Sequence, residues 1–208
     1  YAGWAAGQTS IIVVAGYADV TFGAATGYTA QTQVNRTTGM RARIYHRNLD
    51  GSEGTNVSIT GATANANLGF MLGFAGADVV SATPFEGYAS SSGDVSGGLV
   101  TSPATTTTGV DRLLLRIYTD EQGVLSSPPA TWTERFDNFE TIISAITGAA
   151  DTKELAAAGT EAATSRSYGG GDGTTYVCFG LALVPNPLTF VDSPPPPRRW
   201  PRIRMIGI

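Results

Sequence analysis

The chain has 208 residues, of which 42% are hydrophobic and only 14% charged, with 26 glycines and a formal net charge of −4. Regular apolar runs exclude a largely disordered chain, no run approaches the ~18 to 20 apolar residues of a membrane-spanning helix, and few charges with many small residues favour sheet and turn over surface helix. The single Cys178 excludes an internal disulfide, and no basic-then-apolar signal peptide opens the sequence at Tyr1.

Short β-type runs alternate with turn signals along the chain. SIIVVAG (10–16) is continuously apolar, as in a strand buried on both faces. GYTAQTQVNR (27–36) alternates weakly. MRARIYHRN (40–48) alternates clearly, with Met40, Ala42, Ile44 and His46 on one side and Arg41, Arg43, Tyr45 and Arg47 on the other. Asp50-Gly51 is a hairpin signal, followed by a strand over TNVSITG (55–61) and another over NLGFMLGFAG (67–76). Residues 81–109, rich in Ser, Gly, Thr and Pro, read as a long connection with edge strands.

The pattern restarts with DRLLLRIYTD (111–120), TWTERFDNF (131–139) and TIISAITGA (141–149), all strands. DTKELAAAGTEAATSR (151–166) has two readings. Asp151 with Glu154 forms a capping box ahead of an Ala-rich run, which favours a short helix; Gly159 and the later Thr and Ser favour an irregular or edge-strand segment. YGGGDGTTY (168–176) is a Gly-rich hairpin loop and YVCFGLALV (176–184) the last core strand.

The two halves echo each other. GQTSIIVVA matches GVDRLLLRI, YTAQTQV matches WTERFDN, RARIY matches IISAI, and NLGFMLGFAG matches YVCFGLALVP, in the same order. Any antiparallel protein repeats strand and turn, but four matched elements in order favour two similar halves of one sandwich. Each half alone has too few strands to cover its own apolar face. The expectation is an all-β fold: a single jelly-roll-like antiparallel β-sandwich over 1–191.

Residues 192–208 differ from the body. Pro194 to Pro197 cannot enter a helix or a central strand. From Ser193 onward there are four arginines and no acid, while the other 192 residues hold nine basic against 17 acidic residues. The prolines form a semi-rigid spacer of ~3.1 Å per residue. Beyond them Arg198, Arg199, Trp200, Arg202, Ile203, Arg204, Met205 and Ile206 combine cations with apolar side chains. Alternation over Arg202–Met205 suits strand addition to a partner's sheet edge, Trp200 suits a pocket-filling anchor, and the arginines suit acidic groups on that partner. The segment is expected to be a docking arm rather than an idle terminus.

The succession GQTSIIVVAG … GYTAQ … RARIYHRNLDGSEGTNVSITG … NLGFMLGFAGAD, then DRLLLRIYTDEQG … PPATWTERFDN … YVCFGLALVP, resembles a group of tailed-bacteriophage virion proteins. These are minor tail, fibre-associated and head-decorating β-sandwiches. Their pattern sets an apolar strand before a P-x-G-W-T turn, then a GSEG hairpin and a closing strand near AL-x-P. Pro128-Pro129-Ala130-Thr131-Trp132-Thr133 matches the turn, and Tyr28 stands at the Trp position of the first half. The resemblance spans roughly residues 3 to 186 and excludes the tail. It implies a virion location and a structural role in head or tail, with other virion proteins and copies of the same chain as partners.

No residue pattern points to catalysis, a cofactor or a metal. His46 has only Cys178 as a further soft ligand, so a structural histidine is the expectation. Asp50–Glu53 lacks the calcium-loop pattern, and the glycines of 169–173 lack the Lys-Ser/Thr of a phosphate loop. Glu134 and Asp137 are expected on opposite faces of a strand, which makes them poor partners for a glycosidase carboxylate pair; a solvated sheet face, with a cross-strand pair to Arg135 or a nearby Arg, is the expectation. The chain is therefore expected not to be an enzyme, nor to bind nucleic acid directly. An alternative is a receptor- or glycan-binding module of a fibre or spike, with loop aromatics such as Tyr17 and Tyr88 as sugar contacts. A glycan-degrading enzyme is a third, weaker reading.

Overall fold

The computed structural model describes residues 6–17, 20–36, 39–52, 56–60, 67–78, 80–121, 123–139, 146–169, 173–186 and 204–207. None of them is helical. Sheet one contains β1 (Gln8–Tyr17), the two-residue β2 (Thr29–Ala30) and β3 (Val34–Asn35), β4 (Met40–Asn48), β5 (Asn67–Ala75) and β15 (Arg204–Gly207). Its order is β15-β5-β1-β4-β2, with β3 also paired to β4. Sheet two contains β6 (Phe85–Asp94), β9 (Arg112–Glu121), β10 (Thr133–Phe139), β11 (Ile146–Leu155) and β14 (Thr175–Leu183), in the order β10-β11-β9-β14-β6. Two short ladders complete the set: β7 (Leu99–Thr101) with β13 (Ser165–Ser167), and β8 (Thr105–Thr107) with β12 (Gly159–Glu161). Every named pairing is antiparallel.

The sheets pack face to face as a sandwich. Ile11, Val13, Met40, Ile44, Phe70, Leu72 and Phe74 of sheet one meet Leu113, Leu115, Ile117, Phe136, Phe179 and Leu181 of sheet two in one buried cluster. The period of two along each strand places these residues on the same face. Phe70 stacks on Phe136 at 4.3 Å, which sets β5 over β10. At Gly148 the sheets come close: a Cβ there would lie 2.5 Å from Leu68 Cδ2. Filling a core of this kind with aromatic and aliphatic side chains is the dominant favourable term for the fold.

Both outer faces are also covered. Ile12, Val14, Tyr45 and Met71 lie beneath Val20, Phe22 and Ala25, with Val57 and Ile59 packed against them. Tyr118, Ala149 and Cys178 lie beneath Val95, Val100, Leu125 and Tyr168. This explains the unbroken apolar runs. β1 and β9 are each the middle strand of a sheet, and both are buried at all eight interior positions. His46 points into the sandwich with Met40, Ala42 and Ile44. It meets Phe85 edge-on at 4.9 Å and Gln31 at 3.1 Å, and burial pushes its pKa down.

Two sequence expectations change, and a third lies largely outside the described residues. The capping box at Asp151 and Glu154 does not start a helix: Asp151–Leu155 continues β11, where Asp151 lies directly opposite Arg116 in the ladder. The edge-strand reading of 151–166 is the one observed, as β12 and β13. TNVSITG forms no named strand over its described residues 56–60, only a single bridge between Ile59 and Ala25, because it serves as cover for sheet one. Of TIISAITGA, residues 141–145 lie outside the described residues, and β11 starts at Ile146.

Candidate functional site

The edge of β5 is the place where the C-terminal segment meets the body. Arg204, Met205, Ile206 and Gly207 pair with Gly73, Leu72, Met71 and Phe70 respectively, extending sheet one by one strand. The alternating sequence supports an extended backbone here, and an open β5 edge would otherwise present unpaired N–H and C=O groups to water. Arg198, Arg199, Trp200, Arg202 and Ile203 lie outside the described residues. For Arg204, Met205 and Ile206 the backbone is described, and it runs along the edge of the chain's own sheet.

Tyr17 and Tyr88 lie on strands β1 and β6, and both are partly buried against the inter-sheet core. Tyr17 ends β1 opposite Met40 and is half-buried against the inter-sheet core. Tyr88 stacks near Phe179 at 6.1 Å and tilts against Phe85 at 6.2 Å. Its hydroxyl is buried without a hydrogen-bond partner among the described residues, and burial pushes its pKa up to about 12.

The largest concentration of buried charge lies on the outer face of sheet two, and the sequence reading did not find it. β9 contributes Arg116 and Asp120, β11 contributes Asp151, and β13 contributes Arg166, all four buried. Arg166 Nη2 donates to Glu134 at 2.7 Å and approaches Asp137 at 3.5 Å, and its Nη1 lies 3.6 Å from Asp151. Glu134 and Asp137 reach the same guanidinium because of a β-bulge. Glu134 pairs with Asp151 and Phe136 with Ala150, so Arg135 is an extra residue that resets the alternation. The expectation of opposite faces fails for that reason; both carboxylates are partly exposed, and of the two named alternatives the arginine that pairs with them is a nearby one, Arg166, while Arg135 donates to Thr152 instead. The Arg116 guanidinium stacks over Trp132 at 4.3 Å.

Electrostatics follow from this crowding. Burial, with the Asp137 charge adding to it, pushes the Asp120 carboxyl up to about 8. Burial likewise pushes Asp151 up to about 7, against the pull of Arg166. The chemistry on view is structural: the arginines hold the covering segments by their carbonyl groups. Arg166 Nε donates to Ser126 O at 2.7 Å, and Arg116 donates to Ala162 O. Sheet one uses the same device, with Arg43 donating to Gln31 O at 2.7 Å and to Phe22 O, and Arg41 to Val20 O at 3.1 Å. A guanidinium has five donors in a fixed fork, so one side chain can pin several loop carbonyls. Among the described residues, no three His, Cys, Asp or Glu side chains are grouped to hold a metal ion.

Compared with known protein families, curated proteins and solved structures, the chain has no match.

Proposed function

We propose that the protein is a structural component of a tailed-phage virion, a decorating or assembly subunit of head or tail that is held to its neighbours by the C-terminal segment. The observation that carries this reading is the pairing of Arg204–Gly207 with the β5 edge. It gives the segment a strand-forming sequence and the body a receptive sheet edge, the two parts that assembly by strand addition requires. The charge division supports it, with a cationic tail on an acidic body. The resemblance of residues 3 to 186 to phage sandwich proteins supplies the virion setting, and a jelly-roll relation between the halves belongs with it. The buried charge cluster fits a structural role, since its groups engage the covering segments rather than an open cleft.

A receptor- or glycan-binding module of a fibre or spike is the second reading; Tyr17 and Tyr88, its named aromatics, lie on β1 and β6 and pack against the core. The test is a reconstitution assay with the full chain and a chain ending at Asp192. Loss of incorporation into particles on truncation is the expected result. Equal incorporation would refute the docking role and turn attention to glycan-array binding.

A further inference from the structure

The two sheets share one connectivity. β1 lies between β4 and β5, and β9 lies between β11 and β14. β9 begins at residue 112 where β1 begins at residue 8, and both are ten residues long. The turn before the second strand of each half repeats as well. Tyr28 N donates to Ala25 O at 3.0 Å across Gly27, whose φ is 77°; Trp132 N donates to Pro129 O at 3.1 Å across Thr131, whose φ is 75°. The outermost strands are then traded. β6 follows β5 in the chain but pairs with β14 of the second half, and β15 follows β14 but pairs with β5 of the first half.

The two traded strands are tethered very differently. β6 is ten residues long, joined to β5 through 76–84, and fixed by Glu86, which accepts from Arg112 at 2.7 Å and from Thr108 at 2.7 Å. β15 is four residues long and hangs on residues 187–203, which include Pro187, Pro194 to Pro197 and Pro201. Six of these seventeen residues are proline, and proline-rich sequences in general disfavour compact turns and favour extended backbone.

We propose that β15 is an exchangeable strand whose acceptor is the β5 edge of a second copy of this chain, so that copies assemble by trading C-terminal strands. This rests on the docking role above and names its partner. The exchanged pairing keeps every β15–β5 backbone contact of the closed chain, so the choice between the two is set by tether stiffness and protein concentration. The remainder of each copy, with nine basic against 17 acidic residues, attracts the arginine-bearing tail of another copy as well as its own. The proline content of 187–203 and the charge division together favour the neighbour.

The experiment uses two full-length variants, Met71→Cys and Ile206→Cys, at positions that face each other in the ladder. Cys178 is buried and stays outside the reaction. The two chains are mixed, incubated and oxidised, and products are resolved without reductant. A covalent heterodimer that neither chain forms alone is the expected result, together with a mass above that of the monomer for the unsubstituted chain by light scattering. The proposal is overturned if the mixture yields no heterodimer, a third chain carrying both Met71→Cys and Ile206→Cys closes only on itself and the unsubstituted chain stays monomeric. In that case, loss of particle incorporation on truncation at Asp192 would show that the tail docks on a different protein. Full incorporation of the truncated chain would show that the docking role itself is wrong.

Discussion

Asp120 holds a proton in the native protein that the unfolded chain gives up. Its pKa rises from 3.8 to about 8 on burial, so the native state binds more protons than the unfolded state between those values. Stability therefore falls as pH rises through that window, by at most ~1.4 kcal/mol per pH unit for one group. Asp151 acts in the same direction up to about 7. Asp120→Asn should flatten the decline between about pH 5 and pH 8 and leave the variant more stable than the parent at pH 8. Urea titrations over that range would read this, and an unchanged slope would refute it. Thr131 is a second residue with an energetic signature. A β-branched side chain at a φ of 75° is strained, and Gly27 occupies the matching turn of the first half. Thr131→Gly should stabilise the protein by about 1 kcal/mol, seen as a higher urea midpoint with an unchanged m-value.

Strands differ in how openly their sequences announce them. β1, β9 and β14 are plain because a strand covered on both faces is largely apolar, and SIIVVAG, LLLRIY and YVCFGLALV are, Arg116 apart. β4 is plain because its alternation survives, with His46 on the inward side. The capping box at Asp151 misleads because its carboxylate serves a long-range partner, Arg166, rather than a local helix end. The buried charge cluster was illegible for a related reason: its members come from β9, β10, β11 and β13, and the bulge at Arg135 that unites Glu134 with Asp137 has no local signature. One clue was present, since Arg116 interrupts an otherwise apolar run in a strand with no solvent face. β6 contains a bulge of its own, where the spacing from Glu86 to Ala89 exceeds that from Gly180 to Ala182 on β14. Gly87 fills it with a φ of 64°, and a Cβ there would overlap the Thr106 carbonyl. Gly87→Ala should cost about 2 to 3 kcal/mol, measured by thermal or urea unfolding. A loss below about 0.5 kcal/mol, the level of a neutral surface change, would mean that the bulge is not a fixed feature.

At the scale of the molecule, three elements of the sequence echo fall on matching places in the two sheets (β1 and β9, β2 and β10, β5 and β14), while residues 142–145 of the fourth lie outside the described residues; within the C-terminal segment, Arg204–Gly207 adds a strand to sheet one. What the sequence could not convey was the destination of that strand, because pairing with β5 depends on where the edge lies after folding. The body retains its inter-sheet core without the tail, so a chain ending at Asp192 is expected to fold. The most direct measurement is the solution mass of the full chain and of this truncated chain by light scattering across a range of concentrations, with unfolding curves to confirm that both are folded. The account predicts that the full chain associates as concentration rises while the truncated chain is a folded monomer. Two folded chains with the same association state at every concentration would contradict it.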